Sequence, residues 1–308
     1  MSRQVSFDRY GGVEVLELLP AEKPVPGEGE LLVAVRAAGL NPFDTKVRRG
    51  LMEGVFPITL PSTQGTDVAG VVEAVGPGVQ GFAAGDEILG STGRRRAQAD
   101  HTLVPAASAL PRPPALSWEV AGSLWVSATT ASAMVRAVAP EPGEIVLVAG
   151  ASGGVGALVS QLARERGAVV IGVAGVESHA WLREQRIIPV SYGEGVAQRV
   201  SAAAEAAGGR LAAVLDAVGG GYVALGVELG VAPQRIDTIV DFDAAARYGA
   251  RTDGGAAGRT ADVAAVLELI LAGRVQFSVH RSYPLEQVRD AYRELEEGHP
   301  RGKVVLIP

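Results

Sequence analysis

The rhythm of apolar and polar residues changes once along the chain, and the change divides it. Up to about residue 104 apolar residues come in short runs: VEVLEL (13–18), ELLVAVRAA (30–38), DVAGVVEAV (67–75) and ADHTLV (99–104). The segments PVPGEGE, GPGVQG and GSTG break them. Short apolar runs bounded by glycine, proline and polar clusters predict strands, so this part reads as a β-rich domain. The stretch PAASALPRPPALS (105–117) follows, with prolines that fit neither a helix interior nor a central strand. A domain boundary belongs near it.

From residue 144 continuous Val/Ile/Leu runs alternate with amphipathic segments. EIVLVA leads to GVGALVSQLARER, AVVIGV to HAWLREQ, IIPVS to GVAQRVSAAAEAA, and LAAVLDAV to YVALGVEL. RIDTIVD and the helical TADVAAVLELILAG complete the series. Apolar strands alternating with helices predict a parallel sheet covered on both faces. After Gly273 the segments VQFSVH, PLEQVRDAYRELEEG and KVVLIP are expected to return to the first domain.

The first strand of the α/β half ends in AGASGGVG, Ala149–Gly156, directly before a predicted helix. Gly150, Gly153 and Gly156 are spaced as in a dinucleotide-binding turn, whose N–H groups and helix start favour an anion. Ala151, Ser152, Gly154 and Val155 fill the same loop. NAD sites place an acid at the end of the second strand, to hold the adenosine ribose hydroxyls. Here that strand ends in Val173, Ala174 and Gly175, and Glu177 comes only afterwards. The candidate cofactor is therefore NADP(H).

Taken together, AAGLNPFDTKVRRG, PSTQGTDVAGVVEAVGPGVQGFAAGDEILG, GASGGVG, VLDAVGGG and RGKVVLIP cover nearly the whole chain. On these stretches the chain resembles the zinc-independent quinone oxidoreductase-like branch of the medium-chain dehydrogenase/reductase superfamily. The resemblance implies an α/β fold in which a Rossmann domain, a doubly wound parallel sheet, is inserted into a β-rich GroES-like domain. Residues 1–118 and 276–308 would form the GroES-like catalytic domain and residues 119–275 the Rossmann domain, with the active site in the interdomain cleft. Zinc-dependent relatives carry a cysteine where this chain has Asn41, and Gly-His-Glu where it has Gly65-Thr66-Asp67. Amide and hydroxyl groups are poor zinc ligands, so no metal is expected.

By the same resemblance Asn41 and Pro42 would lie beside the nicotinamide and its ribose, with Thr130 on the nicotinamide side. Asn41 and Thr130 are the candidate catalytic residues. Gly153, Gly154 and Val155 would cradle the pyrophosphate, and Tyr192 would pack near the adenosine 2′-phosphate. The turn at Val218 and Gly219 and the strand end at Val240 would border the nicotinamide half. Ala174 and Lys303, in the terminal RGKVVLIP, complete the cofactor set. The implied reaction is NADPH-dependent hydride transfer to a quinone or an activated C=C (enone or enoyl) substrate. A non-enzymatic NADPH-binding sensor or regulatory protein is the alternative. A homodimer or homotetramer is the expected assembly.

Composition narrows this further. Zero cysteines remove disulfides, thiolate metal sites and a cysteine nucleophile. A net charge of −6 argues against a general nucleic-acid binder. The N-terminal MSRQVSFDRYGG has no apolar core of a secretory signal, and Ile145–Ala163 reads as strand, loop and helix rather than a membrane span. A cytoplasmic protein without membrane contact is expected. His101, His179, His280 and His299 are scattered without ligand spacing, and Arg94, Arg95 and Arg96 read as a solvated charge run. Asp44 is expected to cap the short helix that starts at Pro42.

Overall fold

The computed structural model describes residues 2–93, 96–298 and 300–308; Arg94, Arg95 and His299 lie outside this set. The chain forms two compact units, one made of the residues up to Val126 together with Ser278–Pro308, the other of Ser127–Phe277.

In the first unit the strands are β1 (Ser2–Phe7), β2 (Glu17–Ala21), β3 (Glu30–Gly39), β4 (Ser62–Thr63), β5 (Asp67–Val75), β6 (Glu87–Ser91), β7 (His101–Pro105) and β8 (Ala109–Pro111). Helix α1 (Pro42–Arg48) follows β3, and the long helix α2 (Trp118–Val138) leads out of the unit. The apolar run at 30–38 becomes the centre of the sheet. One edge of β3 pairs antiparallel with β5 along its length, and the other edge pairs with β7 at Glu30–Ala34. Pro111 is tolerated because β8 is an outer strand, paired only with β6. The run VEVLEL departs from expectation: Val13–Val15 form a 3₁₀ turn, and β2 starts only at Glu17.

The second unit alternates as its apolar runs predict. It contains β9 (Ile145–Ala149), α3 (Gly154–Glu165), β10 (Val169–Ala174), α4 (His179–Glu184), β11 (Ile188–Ser191), α5 (Val196–Ala206), β12 (Leu211–Asp216), α6 (Tyr222–Glu228), β13 (Ile236–Thr238), α7 (Phe242–Tyr248) and α8 (Thr260–Leu271). The strands pair in parallel in the order β11-β10-β9-β12-β13. The chain thus starts in the middle, winds outward through β10 and β11, then crosses to β12 and β13. Sheets with such a reversal generally bind ligands beyond the carboxyl ends of the strands that flank it, here β9 and β12. Leu147, Ile171, Val214 and Ile236 are fully buried on adjacent strands, each contributing about 1.5–3 kcal/mol of apolar burial.

The return of the chain comprises β14 (Val279–Pro284), α9 (Val288–Glu297) and β15 (Lys303–Ile307). Of the run VQFSVH only the last two residues, Val279 and His280, join a strand. Val275 is buried, and the Gln161 side chain in α3 both donates to the Gln276 carbonyl (2.8 Å) and accepts from its N–H (2.7 Å). The segment is thereby held in the second unit until Phe277. β14 then pairs in parallel with β15, whose other edge meets the end of β3 at Val305–Gly39 and Leu306–Ala38.

Two residues of the second unit make the fold testable. A Cβ placed on Gly156 would sit 2.0 Å from the Gly150 carbonyl oxygen, so helix α3 can approach β9 only with hydrogen at that position. Gly156→Val should cost about 1–3 kcal/mol or more of stability, read as a fall in thermal midpoint; an unchanged midpoint would refute the close packing. Asp237 in β13 is fully buried, and burial pushes its carboxyl up to about 6, although the N–H groups of Asp253 and Gly254 donate to it. Because the folded carboxyl holds its proton more tightly than the unfolded one, this contribution is present below pH ~4 and is lost as pH rises through about 6. The stability of the protein relative to its Asp237→Asn variant should therefore be greater at pH 5 than at pH 7.5, and a difference independent of pH would contradict the raised value.

Candidate active site

The glycine loop closes the carboxyl end of β9. Gly150 adopts φ +76°, a left-handed conformation that favours glycine, and its N–H and that of Ala151 donate to the Val173 carbonyl at 3.1 and 3.0 Å. The Gly153 N–H donates to Gly150 at 3.1 Å, which tightens the turn, and Gly153 then caps α3. The N–H groups of Gly154, Val155 and Gly156 belong to the first turn of this helix and have no acceptor within it. A Cβ built on Gly153 would meet nothing closer than the Gly150 oxygen at 3.6 Å. The loop is thus open where a phosphate-bearing ligand would rest, and closed at Gly156 where helix meets strand. Ser152, Gly153, Gly154 and Val155 are half-buried, while Ala151 and Gly156 are buried.

The neighbouring strand ends are braced by one carboxylate. The buried Asp216, last residue of β12, accepts from the N–H groups of Val218 (3.1 Å) and Gly219 (2.8 Å) and from the Thr238 hydroxyl (2.8 Å). The Thr238 oxygen in turn accepts from the N–H groups of Val240 and Asp241 at 3.2 and 3.1 Å. Two buried side chains therefore fix both turns, and a Cβ on Gly219 would lie 3.8 Å from Val240. Sequence reasoning pointed to Val218, Gly219 and Val240 and missed Asp216 and Thr238. The signal was present: an Asp just before a Gly-Gly turn marks a side chain bonding to its own backbone two or three residues on.

Ala174 ends β10 and is buried, whereas Tyr192, just past β11, is largely exposed. Arg199 in α5 donates to the carbonyls of Ser191, Tyr192 and Glu194, which pins the loop that carries Tyr192. The strand end at Ala174 and Gly175 departs from expectation. Glu177 folds its carboxylate back, so that a Cβ on Gly175 would meet Glu177 Oε1 at 2.0 Å. A carboxylate does stand at the strand end, because the short 3₁₀ turn Val176–Ser178 brings Glu177 back beside Gly175. Gly150–Gly156, Ala174, Tyr192, Val218, Gly219 and Val240 all lie beyond the carboxyl ends of one sheet. Thr130 belongs to the same unit, half-buried on α2.

Asn41, Pro42 and Lys303 belong to the first unit, and two of them meet. Asn41 is the N-cap of α1; Asp44, three residues on, accepts from the Asn41 N–H at 3.0 Å, the capping role expected of it. The Asn41 amide faces inward: Nδ2 donates to Asp67 Oδ2 (3.1 Å), and Oδ1 accepts from the Lys303 ammonium (2.5 Å). Lys303 also approaches Asp67 at 3.5 Å, and the Val126 N–H donates to the other Asp67 oxygen at 2.8 Å. Strand register produces this meeting. The Leu40 N–H donates to the Val304 carbonyl, which sets Lys303 beside Asn41 at the end of β3, while Asp67 opens the adjacent β5.

Asn41, Asp67 and Lys303 are 4%, 0% and 5% exposed. Burial raises the Asp67 carboxyl and lowers the Lys303 ammonium, and in each case the partner's charge opposes the shift. Lys303, expected among the cofactor residues, has its ammonium engaged by Asn41 and Asp67. Pro42 is exposed at the first turn of α1. Beneath this group lie Tyr292, whose hydroxyl accepts from Gln98 at 2.7 Å, and the fully buried Arg48, paired with Glu296. Among the described residues no group of three or more His, Cys, Asp or Glu is placed to hold a metal ion, and no helix is long and apolar enough to cross a membrane.

With this geometry in hand, comparison with known proteins gives a consistent picture. Residues 27–114 match the family described as alcohol dehydrogenase GroES-like domain, and residues 190–306 match the zinc-binding dehydrogenase family. A pig (Sus scrofa) quinone oxidoreductase is 37% identical over 171 residues, 55% of this chain and 51% of that protein, so the match spans about half the length of that relative. The rat (Rattus norvegicus) synaptic vesicle membrane protein VAT-1 homolog is 30% identical over 97% of this chain and 82% of its own length. The structure of Escherichia coli quinone oxidoreductase complexed with NADPH superposes with a TM-score of 0.86 at 26% identity, covering 99% of this chain and 100% of that one. Its two matched domains, its parallel sheet with a glycine loop and its full-length relatives agree: the chain belongs to the medium-chain dehydrogenase/reductase superfamily, in its quinone oxidoreductase-like branch.

Proposed function

We propose that the chain is an NADPH-dependent, metal-free oxidoreductase that reduces a quinone or an activated C=C, working as a homodimer or homotetramer in the cytoplasm. The observation that carries this reading is the open glycine loop at the start of α3, whose N–H groups fit a pyrophosphate and whose Gly153 leaves room for it. Gly153, Gly154 and Val155 would hold the phosphates, and the turns braced by Asp216 and Thr238 would bound the nicotinamide half. The bound cofactor supplies the hydride. Reduction of a quinone or enone builds negative charge on oxygen, and the Asn41 amide can donate a hydrogen bond to it. Water supplies the proton.

The chemistry of the donor set supports the absence of a metal from this reading. At the two positions where zinc-dependent relatives hold their ion stand an amide and a hydroxyl, and the positive charge facing the neighbouring Asp67 belongs to Lys303. Elemental analysis should find no stoichiometric zinc, and a full equivalent would overturn this part of the proposal.

One observation favours a second reading of the cofactor. The Glu177 carboxylate at the end of β10 would repel a 2′-phosphate and accept from ribose hydroxyls, which suits NADH. Affinities for the two nucleotides in the protein and in Glu177→Gln separate these readings. Tighter NADPH in both supports the first, and a preference for NADH that Glu177→Gln removes supports the second.

NADPH oxidation should proceed with 9,10-phenanthrenequinone or an α,β-unsaturated ketone; tight cofactor binding with no turnover on either class would favour a regulatory protein. Because a Cβ at position 153 makes only an ordinary contact, with the Gly150 oxygen at 3.6 Å, Gly153→Val should fold normally while cofactor affinity falls at least about a hundredfold, ~2.7 kcal/mol. Undiminished affinity would refute the assignment of the loop.

A further inference from the structure

Asn41 is held by two partners of opposite hydrogen-bonding character. An ammonium can only donate and an ionised carboxylate can only accept. Lys303 at 2.5 Å therefore requires the amide oxygen on its side, and Asp67 at 3.1 Å requires the amide nitrogen on the other. The orientation of an asparagine amide is ordinarily ambiguous, but here both neighbours dictate the same choice. Asp67 is itself fixed by the Val126 N–H at 2.8 Å, and Lys303 by its place in β15. The amide has one further N–H, which meets no acceptor among the described residues.

We propose that Lys303 and Asp67 are positioning residues that lock the Asn41 amide one way round, so that its free N–H serves as a hydrogen-bond donor to the oxygen of the bound acceptor. This rests on the oxidoreductase reading above, but the lock itself does not. Two of the four polar valences that usually let an asparagine adapt to its ligand, one on each side of the amide, are constrained by groups at least 95% buried. A reorientable amide could welcome either a carbonyl or a hydroxyl; a locked one discriminates for an acceptor oxygen, the atom that gains charge during reduction. Lys303 thus acts through Asn41 and touches neither cofactor nor substrate. That is a different task from the cofactor contact expected of it, and it makes Asp67 part of the same device.

The test is a double-mutant cycle with a second readout that requires no turnover. Lys303→Met and Asn41→Ala should each lower kcat about ten- to a hundredfold with little change in KM for the cofactor, and the double variant should lose no more than Asn41→Ala alone. Losses that multiply would mean that Lys303 acts independently of Asn41, and would overturn the proposal. In parallel, the side-chain ¹H–¹⁵N pair of Asn41, assigned by its loss in Asn41→Ala, should exchange with solvent at least about tenfold faster in Lys303→Met. An unchanged pair would overturn the lock even if activity falls. Should the buried carboxylate left by Lys303→Met prevent folding, Lys303→Met/Asp67→Asn removes both charges together, and its Asn41 amide should show the same faster exchange. A wild-type protein that reduces nothing sinks the oxidoreductase reading, while the amide measurement still decides the lock.

Discussion

The buried ion pair between Asp67 and Lys303 is the constraint around which the first unit is organised. Removing two charges from water costs several kcal/mol per ion, and the cost is offset only where the remaining valences are filled. Here the Val126 N–H, the Asn41 amide and the opposite charge fill them. Taking away one partner would leave the other buried and alone, at about 3–5 kcal/mol. The pair joins residues 236 positions apart, as 303 minus 67 shows, and so ties the last strand of the chain to the first sheet. Nothing in β15 would demand its place beside β3 so strongly as this one lysine. The four apolar residues beside it, Val304 to Ile307, could pack in more than one register; an ammonium seeking a carboxylate at a single point selects one of them.

The second unit relies on a different device, in which a carboxylate serves backbone rather than another charge. Asp216 holds the turn after its own strand and, through Thr238, the turn after the neighbouring one. Ligand-facing loops usually depend on their own sequence for rigidity. Here two buried residues make the turns continuous with the sheet, so that this edge is held by side chains rooted in the strands. Such preorganised edges bind without first ordering themselves, which is how a loop of small residues can still contribute affinity.

How much of this is legible in the sequence depends on the range of the interaction. DVAGVVEAV becomes β5 over the same nine residues, and EIVLVA with its glycine loop becomes β9 and the start of α3, because strand pattern and turn chemistry are local signals. The run VEVLEL is locally just as strand-like but forms a 3₁₀ turn along Val13–Val15, and pairing starts only at Glu17. VQFSVH enters a strand only at Val279, because the side chain of Gln161, more than a hundred residues earlier, holds Gln276 in the second unit. The division of the chain falls at Val126, inside helix α2, and no proline or glycine announces it. At the site, the glycine loop could be read from spacing alone. Glu177 could be counted but not placed, since its carboxylate reaches Gly175 only through a turn of three residues.

Lys303 shows the limit most clearly, and also what composition can offer. Lysine is nearly absent from the chain, with Lys23, Lys46 and Lys303 against twenty-five arginines. A guanidinium presents five donors in a broad fork and always carries its charge, whereas an ammonium is compact and can sit beside a single amide oxygen. The site at position 303 needs a small donor that leaves Asp67 one oxygen for Val126. In a chain that otherwise uses arginine for nearly every positive charge, a lysine kept at the start of a buried apolar strand is therefore explained by shape as well as charge. The same argument makes Asn41 intelligible: an aspartate there would face Asp67 with a second negative charge, and a leucine would leave both members of the ion pair short of a partner. Only a residue with a donor and an acceptor side by side satisfies both neighbours and has a donor remaining.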